Sequence, residues 1–210
     1  MKIVGQEIAR KLLQINAIKL NIASPFVWAS GWNSPIYCDN RKVLAYPEIR
    51  TEIRNCFSTL IRKQFPSAEA VAGVATGAIA HGVLVAEVLN LPFSYVRSAP
   101  KSHGLTNLIE GEVKPGQKVV VVEDLISTGA SSLAAVEALR HAGCDVVGMV
   151  AIFTYDFPLS QQAFAAANCK LATLSNYSVL IDMAIEMGFI QQDSLQTLEK
   201  WRKNPETWNK

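Results

Sequence analysis

The chain has 210 residues, of which half are apolar and 18% are charged, and its 20 basic and 18 acidic residues leave a formal charge of +2. This length suits one domain that buries a core of its own, and the apolar fraction excludes intrinsic disorder. The balanced charge disfavours nucleic acid or an anionic membrane as the main partner, because such partners select a basic surface.

The sequence predicts neither a membrane span nor a secretion signal. No apolar run approaches the roughly 20 residues that a span requires. Residues 1–14 place charges among their apolar positions and lack a small-residue cleavage site. The four cysteines are widely scattered and form no CxxC pair, so we expect a reduced, cytoplasmic protein that uses them as small apolar residues.

Two amphipathic helices are predicted in the first third of the chain. Apolar residues at helical spacing predict the first over 2–20. Pro47 predicts the start of the second, which extends over 48–64. Between them, residues 24–46 mix proline and glycine with aromatic residues, which indicates irregular or short-strand structure.

The centre of the chain alternates short valine-rich runs with helical segments. Continuous apolar runs indicate strands that are covered on both faces, so we predict an α/β fold with a mostly parallel sheet flanked by helices. One or two further helices are expected over 178–201, with an interruption near Gly188. The predicted strands are 70–75, 93–97, 118–123, 145–153 and 170–174, and the predicted helices between them are 79–89, 131–142 and 159–167.

The segment VVVVEDLISTGAS (119–131) carries the strongest chemical signal. We expect a buried strand that ends in Glu123 and Asp124, whose charges need hydroxyl, cation or metal partners. The following turn is small and rich in donors, and it precedes a helix, which is the arrangement that binds a phosphate. The set predicts a ligand with both hydroxyls and phosphate, such as a sugar phosphate, although Ser131 also fits a simple helix cap.

A second candidate is the segment 95–111, which lies between two predicted strands. It places Arg97 at a strand end and then Lys101 and His103 in a loop bounded by glycines. Such a loop can close over a site and supply positive charge where a leaving group becomes negative. For Lys101, a solvated loop with incidental charge is an equally good reading.

Segment 119–131 resembles the 5-phosphoribosyl 1-pyrophosphate (PRPP) signature of type I phosphoribosyltransferases, and the chain has neither a Walker A loop nor a GxGxxG fingerprint. The K-x-H-G segment at 101–104, the S-G-x-x-S-P-x-Y core within 26–41 and the turn at 73–82 resemble orotate phosphoribosyltransferases. The resemblance implies a single domain over 1–210 with three parts. These are an N-terminal hood with acceptor-binding elements (1–65), a PRPP-binding core (66–175) and C-terminal helices (176–210).

The resemblance also implies an activity and its site residues. The reaction transfers the phosphoribosyl group of PRPP to orotate, giving orotidine 5′-monophosphate (OMP) and pyrophosphate in pyrimidine biosynthesis. Mg²⁺ is held mainly through PRPP, and a homodimer shares its active sites. The catalytic residues are Lys101, His103 and Asp124. The PRPP-binding residues are Thr76, Gly77, Arg97, Lys101, His103, Glu123, Asp124, Leu125, Ile126, Ser127, Thr128, Gly129, Ala130 and Ser131. The orotate-binding residues are Tyr37, Cys38 and Ser127.

Some positions depart from the family pattern. Ala29 and Ser98 stand where many members have lysine, and Phe157 stands where an arginine is expected to bind the orotate carboxylate. Either Arg41 or backbone N–H groups at 34–38 replace that arginine, or the acceptor is another base. A non-catalytic regulator that senses PRPP is a further alternative.

Two other residue types are open to interpretation. His81 follows the pyrophosphate-like turn of segment 73–82 and either approaches a phosphate or, as we predict, lies on a helix surface. Trp28 and Trp32 either stack on a pyrimidine or pack within the protein.

Overall fold

The computed structural model describes residues 2–99 and 108–209. Two short 3₁₀ helices span Asn40–Ala45 and Gln192–Ser194. The α-helices are α1 (Lys2–Gln14), α2 (Pro47–Gln64), α3 (Ile79–Leu89), α4 (Ala130–His141), α5 (Pro158–Ala166), α6 (Tyr177–Glu186) and α7 (Leu195–Lys203). The strands are β1 (Ile18–Leu20), β2 (Phe26–Val27), β3 (Asn33–Ser34), β4 (Ile36–Cys38), β5 (Ala70–Val74), β6 (Phe93–Val96), β7 (Ile109–Glu110), β8 (Lys118–Ile126), β9 (Asp145–Thr154) and β10 (Leu171–Asn176).

The central sheet has six strands in the order β10-β9-β8-β5-β6-β7. All neighbours are parallel except β6 and β7. Val119 and Val121 pack into the apolar cluster shared with α4 and α5, whereas Val120 and Val122 pack into the cluster shared with α1, α2, α3 and α6. Because successive strand residues face opposite sides, a strand that is covered on both faces needs an unbroken apolar run. The α/β prediction is confirmed.

Several element boundaries differ from the predictions. The first helix ends at Gln14, and the last residues of the predicted 2–20 helix form β1 instead. Strand β8 continues to Ile126, so Glu123 and Asp124 lie within the strand and do not end it. Helix α4 begins at Ala130 with Gly129 as its N-cap and no side-chain cap, so the reading of Ser131 as a cap is wrong.

The surface position predicted for His81 is also wrong, because its side chain is only 2% exposed. Helix α3 packs against α2 on one side and against β5, β6 and β8 on the other, which leaves little free surface at this position. The pKa of His81 is lowered, mainly because burial disfavours the charged imidazole.

The N-terminal strands form two small antiparallel sheets, β1 with β4 and β2 with β3. Trp28 lies in an aromatic cluster, with its ring centroid 5.1 Å from that of Tyr155, and its indole N–H donates to the Ile36 carbonyl at 3.1 Å. Packing is therefore the role that the structure gives Trp28. None of the helices in the described part of the chain combines the length and apolarity needed to cross a membrane.

Candidate active site

A polar cavity of about 440 Å³ opens at the carboxyl ends of β5 and β8, which is where ligands of parallel sheets bind. One side, here called the sheet wall, consists of residues within 74–77 and 123–132. The rest of the lining, here called the N-terminal wall, consists of residues within 38–41. The two predicted segments, 73–82 and 119–131, therefore meet at one cavity.

Glu123 is an internal acid of the sheet wall, with 4% of its surface exposed. Its Oε2 accepts a hydrogen bond from the Ser132 hydroxyl at 2.8 Å, and its Oε1 accepts one from the Asp124 backbone N–H at 2.9 Å. Burial and then the charge of Asp124 raise the pKa of this carboxyl well above its usual range. Both Glu123 oxygens are thus engaged by the protein. The sequence analysis did not single out Ser132. It differs from Ser131 only in the direction in which it projects from α4, which depends on where the helix begins.

Asp124 lines the cavity as Glu123 does, but it is only half-buried. Its carboxylate lies against the backbone of Gly77, at a place that leaves no room for a Cβ atom on that glycine. Thr76 and Gly77, two predicted PRPP-binding residues, are thereby brought beside Asp124, a third. The Asp124 carbonyl accepts a hydrogen bond from the Asn40 side-chain amide at 2.6 Å.

The turn after β8 supplies the hydroxyls and N–H groups that the sequence predicts. Ser127, Thr128 and Ser131 line the cavity, and the N-terminus of α4 lies at the same point. Gly129 has a φ of +85°, and a Cβ there would lie 2.9 Å from the Phe164 ring, so this turn requires glycine. Ile126 is fully buried and Ala130 is not part of the wall, so any contact from them is made by backbone groups.

The N-terminal wall carries a charged pair and a thiol. Arg41 Nε lies 2.6 Å from Asp39 Oδ1, and this pairing lowers the pKa of Asp39. Burial, followed by the charges of Asp124 and Asp39, raises the pKa of Cys38, which keeps it a neutral thiol. Tyr37, predicted to bind orotate, is 40% exposed and lies outside the cavity wall, with its ring 5.7 Å from that of Phe26.

One of the predicted cations, Arg97, lies at a second opening. A cavity of about 600 Å³ shares Ala75 and Thr76 with the first and is also lined by Arg97. Arg97 Nη1 lies 3.5 Å from Glu110 Oε1. Lys101 and His103 lie outside the described residues.

Divalent metal binding at this site would depend on substrate oxygens. Among residues 2–99 and 108–209, no group of three or more histidine, cysteine, aspartate or glutamate side chains is placed to hold a metal ion. Asp124 offers a carboxylate at the cavity, whereas Glu123 is engaged by Ser132 and by backbone. This donor set fits a Mg²⁺ ion that takes most of its oxygen ligands from a phosphorylated substrate and water.

Comparison with known proteins identifies the family. A sequence model of the phosphoribosyl transferase domain matches residues 40–173. An orotate phosphoribosyltransferase of Bacteroides fragilis is 57% identical over 208 residues, which cover 99% of this chain and 98% of the relative. The chain belongs to the orotate phosphoribosyltransferase family.

Solved structures agree with this family assignment. The orotate phosphoribosyltransferase of Aeropyrum pernix has a TM-score of 0.71 at 25% identity, over 86% of this chain and 99% of that one. The UMP synthase of Leishmania donovani has a TM-score of 0.78 at 25% identity, over 94% of this chain and 42% of the longer synthase. The resemblance drawn from residues 26–131 is therefore confirmed, together with the type I phosphoribosyltransferase fold.

Proposed function

We propose that this orotate phosphoribosyltransferase family member transfers the 5-phosphoribosyl group of PRPP to N1 of orotate. Pyrophosphate leaves and OMP forms, a step of pyrimidine nucleotide biosynthesis. The observation that carries the proposal is one cavity that joins the Asp124 carboxylate to a hydroxyl-rich turn at a helix N-terminus. A sugar phosphate needs both features.

The sheet wall is assigned to PRPP. Ser127, Thr128, Ser131 and the backbone N–H groups of 125–131 hold the 5-phosphate at the positive end of α4. Asp124 accepts hydrogen bonds from the ribose hydroxyls, while Glu123 acts through Ser132 and the Asp124 backbone to fix the end of β8. Backbone groups of Thr76 and Gly77 face the pyrophosphate side.

The chemical step asks mainly for positioning and for charge stabilisation. As pyrophosphate leaves, positive charge develops on the ribose, and the Asp124 carboxylate stabilises it. Arg97, with Lys101 and His103, is assigned to the departing pyrophosphate. Mg²⁺, bound through the PRPP oxygens, would neutralise part of the charge that accumulates on the leaving group.

The acceptor is assigned to the space between the two walls. Ser127 and Cys38 both line it and keep their predicted contact with orotate, whereas Tyr37 is left with a backbone contact. The shared-site homodimer, the division into 1–65, 66–175 and 176–210, and the cytoplasmic location remain predictions of the sequence.

A base-by-base assay tests the proposal. The purified protein is incubated with PRPP, Mg²⁺ and, in separate reactions, orotate, uracil, adenine or hypoxanthine, and nucleotide and pyrophosphate are quantified. We expect stoichiometric OMP and pyrophosphate with orotate. Turnover with another base alone would overturn the acceptor, and PRPP binding with no turnover on any base would indicate a regulator.

A further inference from the structure

Acidic side chains outnumber basic ones on the cavity wall. Three acids line it, namely Asp39, Glu123 and Asp124, and Arg41 is the one basic side chain among its described lining residues. Orotate carries a carboxylate that uracil lacks, and carboxylates are best recognised by the two-pronged guanidinium of arginine. A basic side chain on the acceptor side of this cavity could therefore bind the carboxylate that distinguishes orotate from uracil.

The guanidinium of Arg41 is held in place by its neighbour. Its Nε lies 2.6 Å from Asp39 Oδ1, which leaves the two Nη groups to donate elsewhere. Arg41 lines the same cavity as Asp124, the acid assigned to PRPP, and the charge of Asp124 acts on it. The side chain thus lies near the place assigned to PRPP, on the wall that also carries Cys38.

The backbone that carries Arg41 is anchored to the sheet. Asn40 is fully buried, and its side-chain amide donates to the Asp124 carbonyl at 2.6 Å. Its Oδ1 accepts a hydrogen bond from Cys38 Sγ at 3.3 Å. Because pairing of β5 with β8 ends at Val122 while pairing of β9 continues to Ile126, Asn40 contacts the part of β8 that extends beyond β5. The N-terminal wall is thereby fixed relative to Asp124.

Phe157, which lies between β9 and α5, stands where the family pattern expects an arginine and supplies no positive charge to the acceptor. Phe157 and Tyr155 are each 1% exposed, and their rings stack with centroids 5.3 Å apart and planes 13° apart. Trp201 packs against both rings. Position 157 therefore belongs to the aromatic core in this chain.

We infer that Arg41 recognises the carboxylate of the acceptor and so makes the enzyme specific for orotate, with Asp39 and Asn40 as positioning residues. The inference rests on the proposed function and adds to it the residue that sets acceptor choice. The two Nη groups donate to the two carboxylate oxygens, a contact that a neutral base cannot make.

The test compares Arg41→Gln with Lys42→Gln, each assayed with orotate and with uracil at saturating PRPP and Mg²⁺. Lys42 is the adjacent exposed cation, it bonds the Asn16 carbonyl and it lies outside the cavity wall, so its variant has the same net charge change. For Arg41→Gln we expect kcat/KM for orotate to fall on the order of 100-fold, from the loss of two charged hydrogen bonds. Uracil turnover should change little, and Lys42→Gln should behave as wild type with both bases.

If uracil turnover is too slow to measure, ligand binding can be compared instead. Competitive inhibition is measured with 1-methylorotate, which keeps the carboxylate, and with its neutral carboxamide. Arg41→Gln should weaken inhibition by the acid on the order of 100-fold and leave that by the amide unchanged. Asp39→Asn should raise KM for orotate roughly tenfold while leaving KM for PRPP unaltered, because it only misplaces the guanidinium.

The outcomes separate this inference from the proposed function. An equal loss with acid and neutral ligands would mean that Arg41 contacts PRPP, and no loss with orotate would mean that it contacts neither; both overturn the inference. Failure of the wild-type protein to form OMP would instead overturn the proposed function.

Discussion

The two walls of the cavity are built in different ways. The sheet wall takes most of its residues from one continuous segment, 123–132, which the β8–β9 ladder and the start of α4 hold in place. The N-terminal wall reaches the same cavity through the Asn40–Asp124 hydrogen bond, which joins residues 84 apart in the chain. The first wall combines acid and hydroxyl groups for a sugar phosphate, and the second contributes a cation. Donor and acceptor are thus assigned to segments that can be altered separately.

The largest expected effect comes from Asp124→Asn on the sheet wall. Removing the charge opposite the developing positive ribose should lower kcat/KM on the order of 100- to 1,000-fold, as the loss of one transition-state contact does elsewhere. Steady-state kinetics should show the same loss with orotate and with uracil, unlike Arg41→Gln. Asp145→Asn, an exposed acid at the start of β9, is the charge-matched control. An unchanged rate would remove Asp124 from the proposed chemistry.

A smaller effect is expected from Gly77→Ala. The new Cβ would occupy the place of the Asp124 carboxylate, which can rotate away, so the fold should survive while kcat/KM for PRPP falls roughly tenfold. Gly82→Ala is the converse control. Its Cβ would meet the partly buried Phe93 ring, so this variant should lower Tm without a kinetic change. If Gly77→Ala lowered Tm alone, the contact between Gly77 and Asp124 would be purely structural.

The smallest expected effect is on stability, and it comes from Glu123→Gln, a change at the buried acid of the sheet wall. Because its pKa is raised in the folded protein, Glu123 holds its proton to higher pH there than in the unfolded chain, whose value is near 4.5. The free energy of unfolding should therefore decrease as pH rises from that value through the raised pKa. Glu123→Gln keeps a carbonyl acceptor but has no carboxyl group to titrate. Urea unfolding across this pH range should therefore show that the stability of the variant relative to wild type increases as pH rises. Parallel pH profiles for the two proteins would contradict the assignment.

The sheet wall could be predicted from sequence because its signals are local. Four consecutive valines, two acids and a small-residue turn specify β8, the loop and α4 with no information from elsewhere. The division of labour between Glu123 and Asp124 was not predictable, since it depends on Ser132 and Gly77 packing against them.

The N-terminal wall could be predicted only in part. Cys38, which the sequence assigns to the acceptor, lines the cavity, whereas Tyr37 alternates to the other side of β4 and lies outside the wall. Asn40 gave no signal, because its partner lies 84 residues away. His81 was misplaced for a related reason: a polar residue type suggests a surface, while α3 is enclosed by the sheet and α2.

Hydrogen exchange with two ligands tests the assignment of one wall to each substrate most directly. Backbone amides are followed in the free protein, with PRPP and Mg²⁺, and with OMP, which carries both the phosphoribosyl group and the base. PRPP should protect 76–77 and 124–131, and OMP should add protection at 38–41. Protection of 38–41 by PRPP alone, or protection confined to the apolar cavity that Val4, Cys56 and Leu174 help to line, would contradict the account.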